Sequence, residues 1–156
     1  MIAVLDASDR SPVTPSAARG QTRRILVVDD DAVILRLEKM ILECAGHRVE
    51  TAKDGEAAWQ ALKDGEYDLL VTDNIMPGLS GLALVRQLRR ANLTLPVVMV
   101  SGTLGHLDTA KLTRDPRSRI NGFVGKPFTI HQLLSAVHLA VDSAPFDTVR
   151  GHFGPE

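Results

Sequence analysis

The chain has 156 residues, 44% hydrophobic and 24% charged, with a net charge of −1. That composition suits one packed domain and argues against wholesale disorder and bulk nucleic-acid binding. A single cysteine, Cys44, excludes an intrachain disulfide and a cysteine-built zinc site. The stretch before Arg24 is rich in Ser, Thr, Pro and Ala and lacks a sustained period. Residues 1–23 are therefore expected to form a flexible tail. The longest apolar run, Met1–Leu5, is too short to span a bilayer. No basic residue precedes it and Asp6 follows it, so no signal peptide is expected and the cytoplasm is the expected compartment.

From Ile25 onward, strand-like and helix-like patterns alternate. Apolar or β-rich runs begin near Ile25, Arg48, Asp68, Val97 and Gly122. Each interval between them has room for one helix and two loops. The runs at 25, 69 and 97 are continuously apolar, as strands buried on both faces of a parallel sheet would be. The run at Arg48 alternates, which predicts a half-exposed edge strand.

The helices between them carry start and stop signals. Asp31 is expected to cap the first, with Val33, Leu37, Met40, Ile41 and Cys44 as its apolar stripe and Gly46 as its stop. This stripe makes Cys44 an inert core thiol. Asp54 should cap the second helix, whose inner face holds Ala58 and Leu62 and on which Trp59 packs. Ser80 should cap the third, over Leu82, Val85 and Leu88, with Asn92 as its stop. The fourth, Leu104 to Leu112, is cut short by Asp115-Pro116. Thr129 and Gln132 form a capping box ahead of Leu133, Val137 and Val141. The domain is assigned to residues 24–142, with a second flexible tail at 143–156. The alternation predicts an α/β fold on a parallel sheet.

Ligands of open α/β sheets bind at the carboxyl ends of the strands. The first run there ends in Asp29, Asp30 and Asp31, the third in Asp73, the fourth in Ser101 and the fifth in Lys126-Pro127. Taken singly, each has an ordinary reading: a helix cap, two turn residues and a solvated loop lysine. Together they form a carboxylate cluster with a hydroxyl and an ammonium. Clustered carboxylates repel one another, and a hard divalent cation such as Mg²⁺ relieves this while recruiting phosphate oxygens. Lysine is a point charge suited to phosphate, and an aspartate can itself be the phosphorylated nucleophile. The set points to phosphoryl transfer onto a carboxylate.

ILVVDDD, LLVTDNIMPGLSG, VMVSG and FVGKPF, in that order, resemble the receiver domain of two-component response regulators. The resemblance covers about residues 24–142. It implies the flavodoxin-like (βα)5 fold, a five-stranded parallel sheet of order 2-1-3-4-5. It further implies Asp29 and Asp30 as the acidic pair that organises Mg²⁺, Asp73 as phosphoacceptor and metal ligand, and the Ile75 backbone carbonyl as another ligand. Ser101 and Lys126 would bind the phosphoryl group, Ser101 and Phe123 would form the switch, and Lys126-Pro127 would be cis. The implied partners are a sensor histidine kinase or histidine phosphotransfer protein and an unknown downstream protein, with no nucleic acid or membrane. The segment after residue 142 is too short for an output module, so action through another protein is expected. The interval from Ser101 to Lys126 departs from the family in length and in its LTRDPRSRI stretch, which puts the fourth helix in doubt.

Other classes fit less well. A haloacid dehalogenase type hydrolase also uses Mg²⁺ and an aspartyl phosphate, but it wants a second aspartate where this chain has Ile75. A receiver fold that has lost its chemistry would lack part of the set, and none is missing. The histidines (His47, His106, His131, His138, His152) show no ligand spacing. Lys111, Arg114, Arg117 and Arg119 form a basic cluster whose ordinary reading is a solvated loop.

Overall fold

The computed structural model describes residues 20–143. Most of both expected tails lies outside the described residues. Five strands alternate with five helices: β1 (Arg24–Val28), α1 (Ala32–Cys44), β2 (Arg48–Ala52), α2 (Gly55–Asp64), β3 (Leu69–Thr72), α3 (Gly81–Arg90), β4 (Val97–Ser101), α4 (Thr109–Arg114), β5 (Gly122–Gly125) and α5 (Ile130–Asp142). The sheet is parallel throughout and ordered β2-β1-β3-β4-β5.

Side chains alternate across this sheet and build two cores. Leu26, Val28, Leu70 and Met99 pack with α2, α3 and α4 through Ala58, Leu62, Leu84, Leu88 and Leu112. Ile25, Val27, Val71 and Val100 pack on the other face with α1 and α5 through Ile41, Leu42, Leu133 and Val137. Coverage on both faces explains why β1, β3 and β4 read as unbroken apolar runs. The β2 edge buries only Val49 and Ala52.

The caps follow local chemistry. Asp31 accepts hydrogen bonds from the Val33 and Ile34 amides, Asp54 from Ala57, and Ser80 from Ala83. The Thr129–Gln132 capping box forms in both directions. Gly46 and Asn92 end their helices in the left-handed region, at φ 97° and 58°. The fourth helix stops before Asp115-Pro116 as expected, but it starts at Thr109 and not at Leu104. A 3₁₀ turn at Leu104–His106 precedes a six-residue α4, and Asp115 is already extended.

The α1 stripe requires correction. Val33 is 75% exposed, Met40 55% and Leu37 37%. The buried positions are Glu38, Ile41 and Leu42. Cys44 is exposed and is not a core thiol. The helix has apolar residues around most of its circumference, so its sequence allows two inner faces. The sheet selects the one that seats Ile41 and Leu42, and Glu38 is buried beside them. Trp59 packs partly buried against the core, with the Lys63 ammonium 5.8 Å from its ring centroid.

Candidate functional site

Parallel pairing brings the carboxyl ends of the strands to one edge. The Asp73 amide donates to the Val28 carbonyl at 2.9 Å, extending the β1–β3 ladder by one residue. Asp73 therefore follows β3 as Asp29 follows β1. Across β4 and β5, Ser101 is in register with Gly125, and the Lys126 amide donates to the Ser101 carbonyl at 3.0 Å. The Lys126-Pro127 peptide is cis.

Lys126 Nζ lies 2.6 Å from Asp29 Oδ2 and 3.3 Å from Asp73 Oδ2. Asp29 and Asp73 are buried, whereas Asp30 is exposed. One carboxylate oxygen from each of Asp29, Asp30 and Asp73 falls within 4.8 Å of the others. Burial pushes the Asp73 carboxyl above its usual range; Lys126 opposes this and Asp29 adds to it. At Lys126 burial pulls downward, but the hydrogen bond and charge of Asp29, together with Asp73, raise it overall. Its ammonium is thus held charged. Three carboxylates face one ammonium, and all the prospective ligand atoms are hard oxygens. That donor set fits a divalent cation of the Mg²⁺ type, which would hold phosphate oxygens and offset their charge.

Ser101 is buried at the same edge but turned to its own loop. Its Oγ lies 3.0 Å from Thr103 Oγ1 and accepts from the Thr103 amide at 3.2 Å. Phe123 lies in register with Met99 and packs, partly buried, against the core. Ile75 comes two residues after Asp73, with its side chain 61% exposed. The structure thus gathers Asp29, Asp30, Asp73 and Lys126 in one cluster, with Ser101 beside it and Phe123 on the flanking strand.

Several supporting residues escaped the sequence reading. The Asn74 amide donates to Asp73 Oδ1 at 2.7 Å, and Asn74 Oδ1 accepts from the Leu82 amide at 3.1 Å. Asn74 thereby ties the aspartate to the start of α3. A Cβ at Gly81 would lie 2.0 Å from the Asp73 carbonyl oxygen, and one at Gly55 would lie 2.4 Å from the Leu79 oxygen. Both glycines let the loop after β3 pack closely. The LSG at the start of α3 carried a partial signal for Gly81; nothing local marks Asn74. Glu38 is buried with Oε2 unpartnered. Burial, followed by the charge of Asp29, pushes its carboxyl up to about 8.

Comparison with known proteins agrees with this fold. The sequence model for the response regulator receiver domain matches residues 25–138. The chemotaxis protein CheY-3 of Vibrio cholerae is 32% identical over 116 residues, covering 72% of this chain and 87% of that protein. The transcriptional regulatory protein YkoG of Bacillus subtilis, described as uncharacterized, is 33% identical over 117 residues, 75% of this chain and 50% of that one. Among solved structures, the receiver domain of the Francisella response regulator 1452 superposes with a TM-score of 0.67 at 28% identity, covering 79% of this chain and all of that domain. The chain belongs to the response regulator receiver family of two-component signalling. It spans half or less of several longer regulators that it matches, such as YkoG and the NtrC of Azospirillum brasilense.

Proposed function

We propose that Asp73 is the phosphoacceptor of a signalling switch, charged by a phosphohistidine on a sensor kinase or histidine phosphotransfer protein. The observation that carries this is the Asp73 carboxylate, buried at a strand end and 3.3 Å from Lys126 beside an acidic pair. An Asp73 oxygen attacks the phosphorus, the bond to the donor nitrogen breaks, and an aspartyl phosphate forms. Asp29, Asp30, Asp73 and the Ile75 carbonyl would hold Mg²⁺, which would supply charge neutralisation. Lys126 follows the phosphoryl oxygens, and Ser101 donates to one of them. The same groups assist loss of the phosphoryl group to water, so the chain takes part in its own phosphorylation and dephosphorylation without turning over a separate substrate.

A macromolecular donor suits the rim of the site. Val33, Ile75 and Ile130 each lie within a few residues of the clustered carboxylates or Lys126, and are 75%, 61% and 60% exposed. Exposed apolar side chains around a polar centre are what a docking protein can cover. The phosphorylated form then binds a downstream protein differently from the unphosphorylated form.

The test is incubation with a small phosphodonor and Mg²⁺, followed by site mapping by mass spectrometry. Labelling is expected at Asp73 alone and to be lost in Asp73→Asn. Robust labelling of that variant would remove Asp73 from the role. Repeated release of phosphate from simple esters would favour a hydrolase instead.

A further inference from the structure

The opposite end of the sheet holds a second concentration of charge. The last turns of α3, the turn leading into β4 and the segment before β5 enclose a cleft of about 800 Å³. That is within the usual size of small-molecule sites, about 300–1,000 Å³. Arg86, Arg89, Arg90 and Arg117 line it, and Asp115 is the acidic residue among its walls. The Asp115 carboxylate already accepts from the Arg117 amide at 2.9 Å. Among the described residues, the ion pairs join Arg24 with Glu50, Lys39 with Glu43, and Lys126 with Asp29 and Asp73. No arginine of the cleft takes part in one of these.

Arg89 fixes the floor. Its guanidinium donates to the carbonyls of Leu93 at 2.7 Å, Leu95 at 2.9 Å and Arg119 at 2.6 Å. These bonds join the turn before β4 to the segment before β5, while the buried Nε–H has no acceptor. Burial, then the neighbouring Arg119, lowers this guanidinium to about 10. Basic residues at a helix C-terminus complement its dipole, which accounts for Arg89 and Arg90 on their own. It does not account for Arg86, four residues from a like charge, or for Arg117 arriving from a separate segment.

We propose that this cleft binds a compact ligand carrying two or more adjacent phosphate groups, of the nucleoside di- or triphosphate class. Guanidinium forks match phosphate oxygens two at a time. Several positive charges around one cleft require several negative charges in a small volume, which linked phosphates supply. An acidic peptide spreads its carboxylates along a chain, and a DNA duplex presents a convex surface that does not enter a cleft. The LTRDPRSRI stretch supplies Arg117 and Asp115 to the walls. The proposal is independent of phosphoryl transfer at Asp73.

Calorimetric titration of the full chain with inorganic tripolyphosphate, without Mg²⁺ and at constant ionic strength, tests it. One saturable site, tighter than for sulfate, is expected. Arg90→Gln with Arg117→Gln should weaken it by roughly tenfold or more, as loss of charge-assisted hydrogen bonds does. Both side chains are exposed, so the fold should hold, and circular dichroism checks it. Arg86→Gln is a second, independent variant with the same expected direction. Asp115→Asn keeps the acceptor for the Arg117 amide while removing a negative charge, and should tighten binding. Binding no tighter than for sulfate, or unchanged in the arginine variants, would overturn the site. A short DNA duplex or a polyglutamate peptide binding more tightly than tripolyphosphate, with the same dependence on Arg90 and Arg117, would overturn the ligand class. A nucleoside triphosphate that competes with tripolyphosphate would support it.

Discussion

Asp30 differs from its neighbours in the acidic cluster because it is exposed while Asp29 and Asp73 are buried. Asp29 is engaged by Lys126 at 2.6 Å and by the Asp31 amide at 2.8 Å. Asp30 is therefore the carboxylate most available to a cation arriving from solvent. Asp30→Ala should weaken Mg²⁺ binding by roughly tenfold or more in a calorimetric titration, with little change in fold stability, because an exposed carboxylate contributes little to it. Unaltered Mg²⁺ affinity would take Asp30 out of the metal site. The four residues of the cluster were legible in the sequence, since each stands where a strand-like run stops. Asn74 was not, because its contribution is a pair of backbone-directed hydrogen bonds that no spacing rule announces. The orientation of Ser101 was equally hidden. A hydroxyl at a strand end has several acceptors within reach, and only the folded loop shows Thr103 as its partner.

Helix α1 carries apolar residues at so many of its positions that periodicity leaves the inner face open, and packing on the sheet decides. That decision buries Glu38. A carboxyl raised in the folded state from 4.5 to about 8 gives the native protein more bound protons than the unfolded chain between those values. Stability contributed by this group is therefore highest below about pH 4.5 and is lost as pH rises through 8. Lys126 offsets part of the effect, and Asp29 and Asp73 add to it. Glu38→Gln should remove this slope and raise stability at pH 8 and above by on the order of 2–4 kcal/mol, read by denaturant unfolding across pH. An identical pH profile in both proteins would show that Glu38 does not titrate in this range. The start of α3 makes a steric counterpart. A Cβ at Gly81 would stand 2.0 Å from the Asp73 carbonyl oxygen, which is backbone and cannot turn aside. Gly81→Ala should thus cost about 2–4 kcal/mol of stability and slow labelling of Asp73. Unfolding curves and labelling rates that match the wild type would contradict this close approach.

At the scale of the whole molecule, the strand ends were legible because buried parallel strands leave continuous apolar runs, whereas the sheet order came only with the resemblance to the receiver family. The region between β4 and β5 was less so, since a six-residue α4 buries only Leu112 and offers little period to read. This same region begins at Ser101, at the carboxyl end of β4. Ser101 holds Thr103, through contacts of 3.0 and 3.2 Å, and not the carboxylates. A phosphoryl group on Asp73 brings roughly −1.5 to −2 charge and three strong acceptors. Its pull on the Ser101 hydroxyl competes with Thr103. We propose that, once Ser101 moves, Phe123, which is only partly buried and lies on β5 beside Met99, turns inward behind it. The exposed surface of α4, β5 and α5 would change with it. Linkage requires that a partner preferring that surface and the phosphoryl group favour each other by the same free energy, typically about 1–3 kcal/mol. Three variants separate the steps. Ser101→Ala should accept phosphate more slowly and lose most of the coupling, because the competing hydroxyl is gone. Phe123→Ala should accept phosphate at the wild-type rate and still change partner affinity. Thr103→Val removes one of the two contacts that hold Ser101 back, so it should raise partner affinity before phosphorylation and narrow the gap between the two states. The readout is the affinity of a phosphorylation-selective partner for each protein, with and without a phosphoryl mimic at Asp73. If Ser101→Ala and Phe123→Ala both retain the full wild-type ratio, the signal leaves Asp73 by another route, and the segment around Asp115 and Pro116 becomes the part of the molecule to vary next.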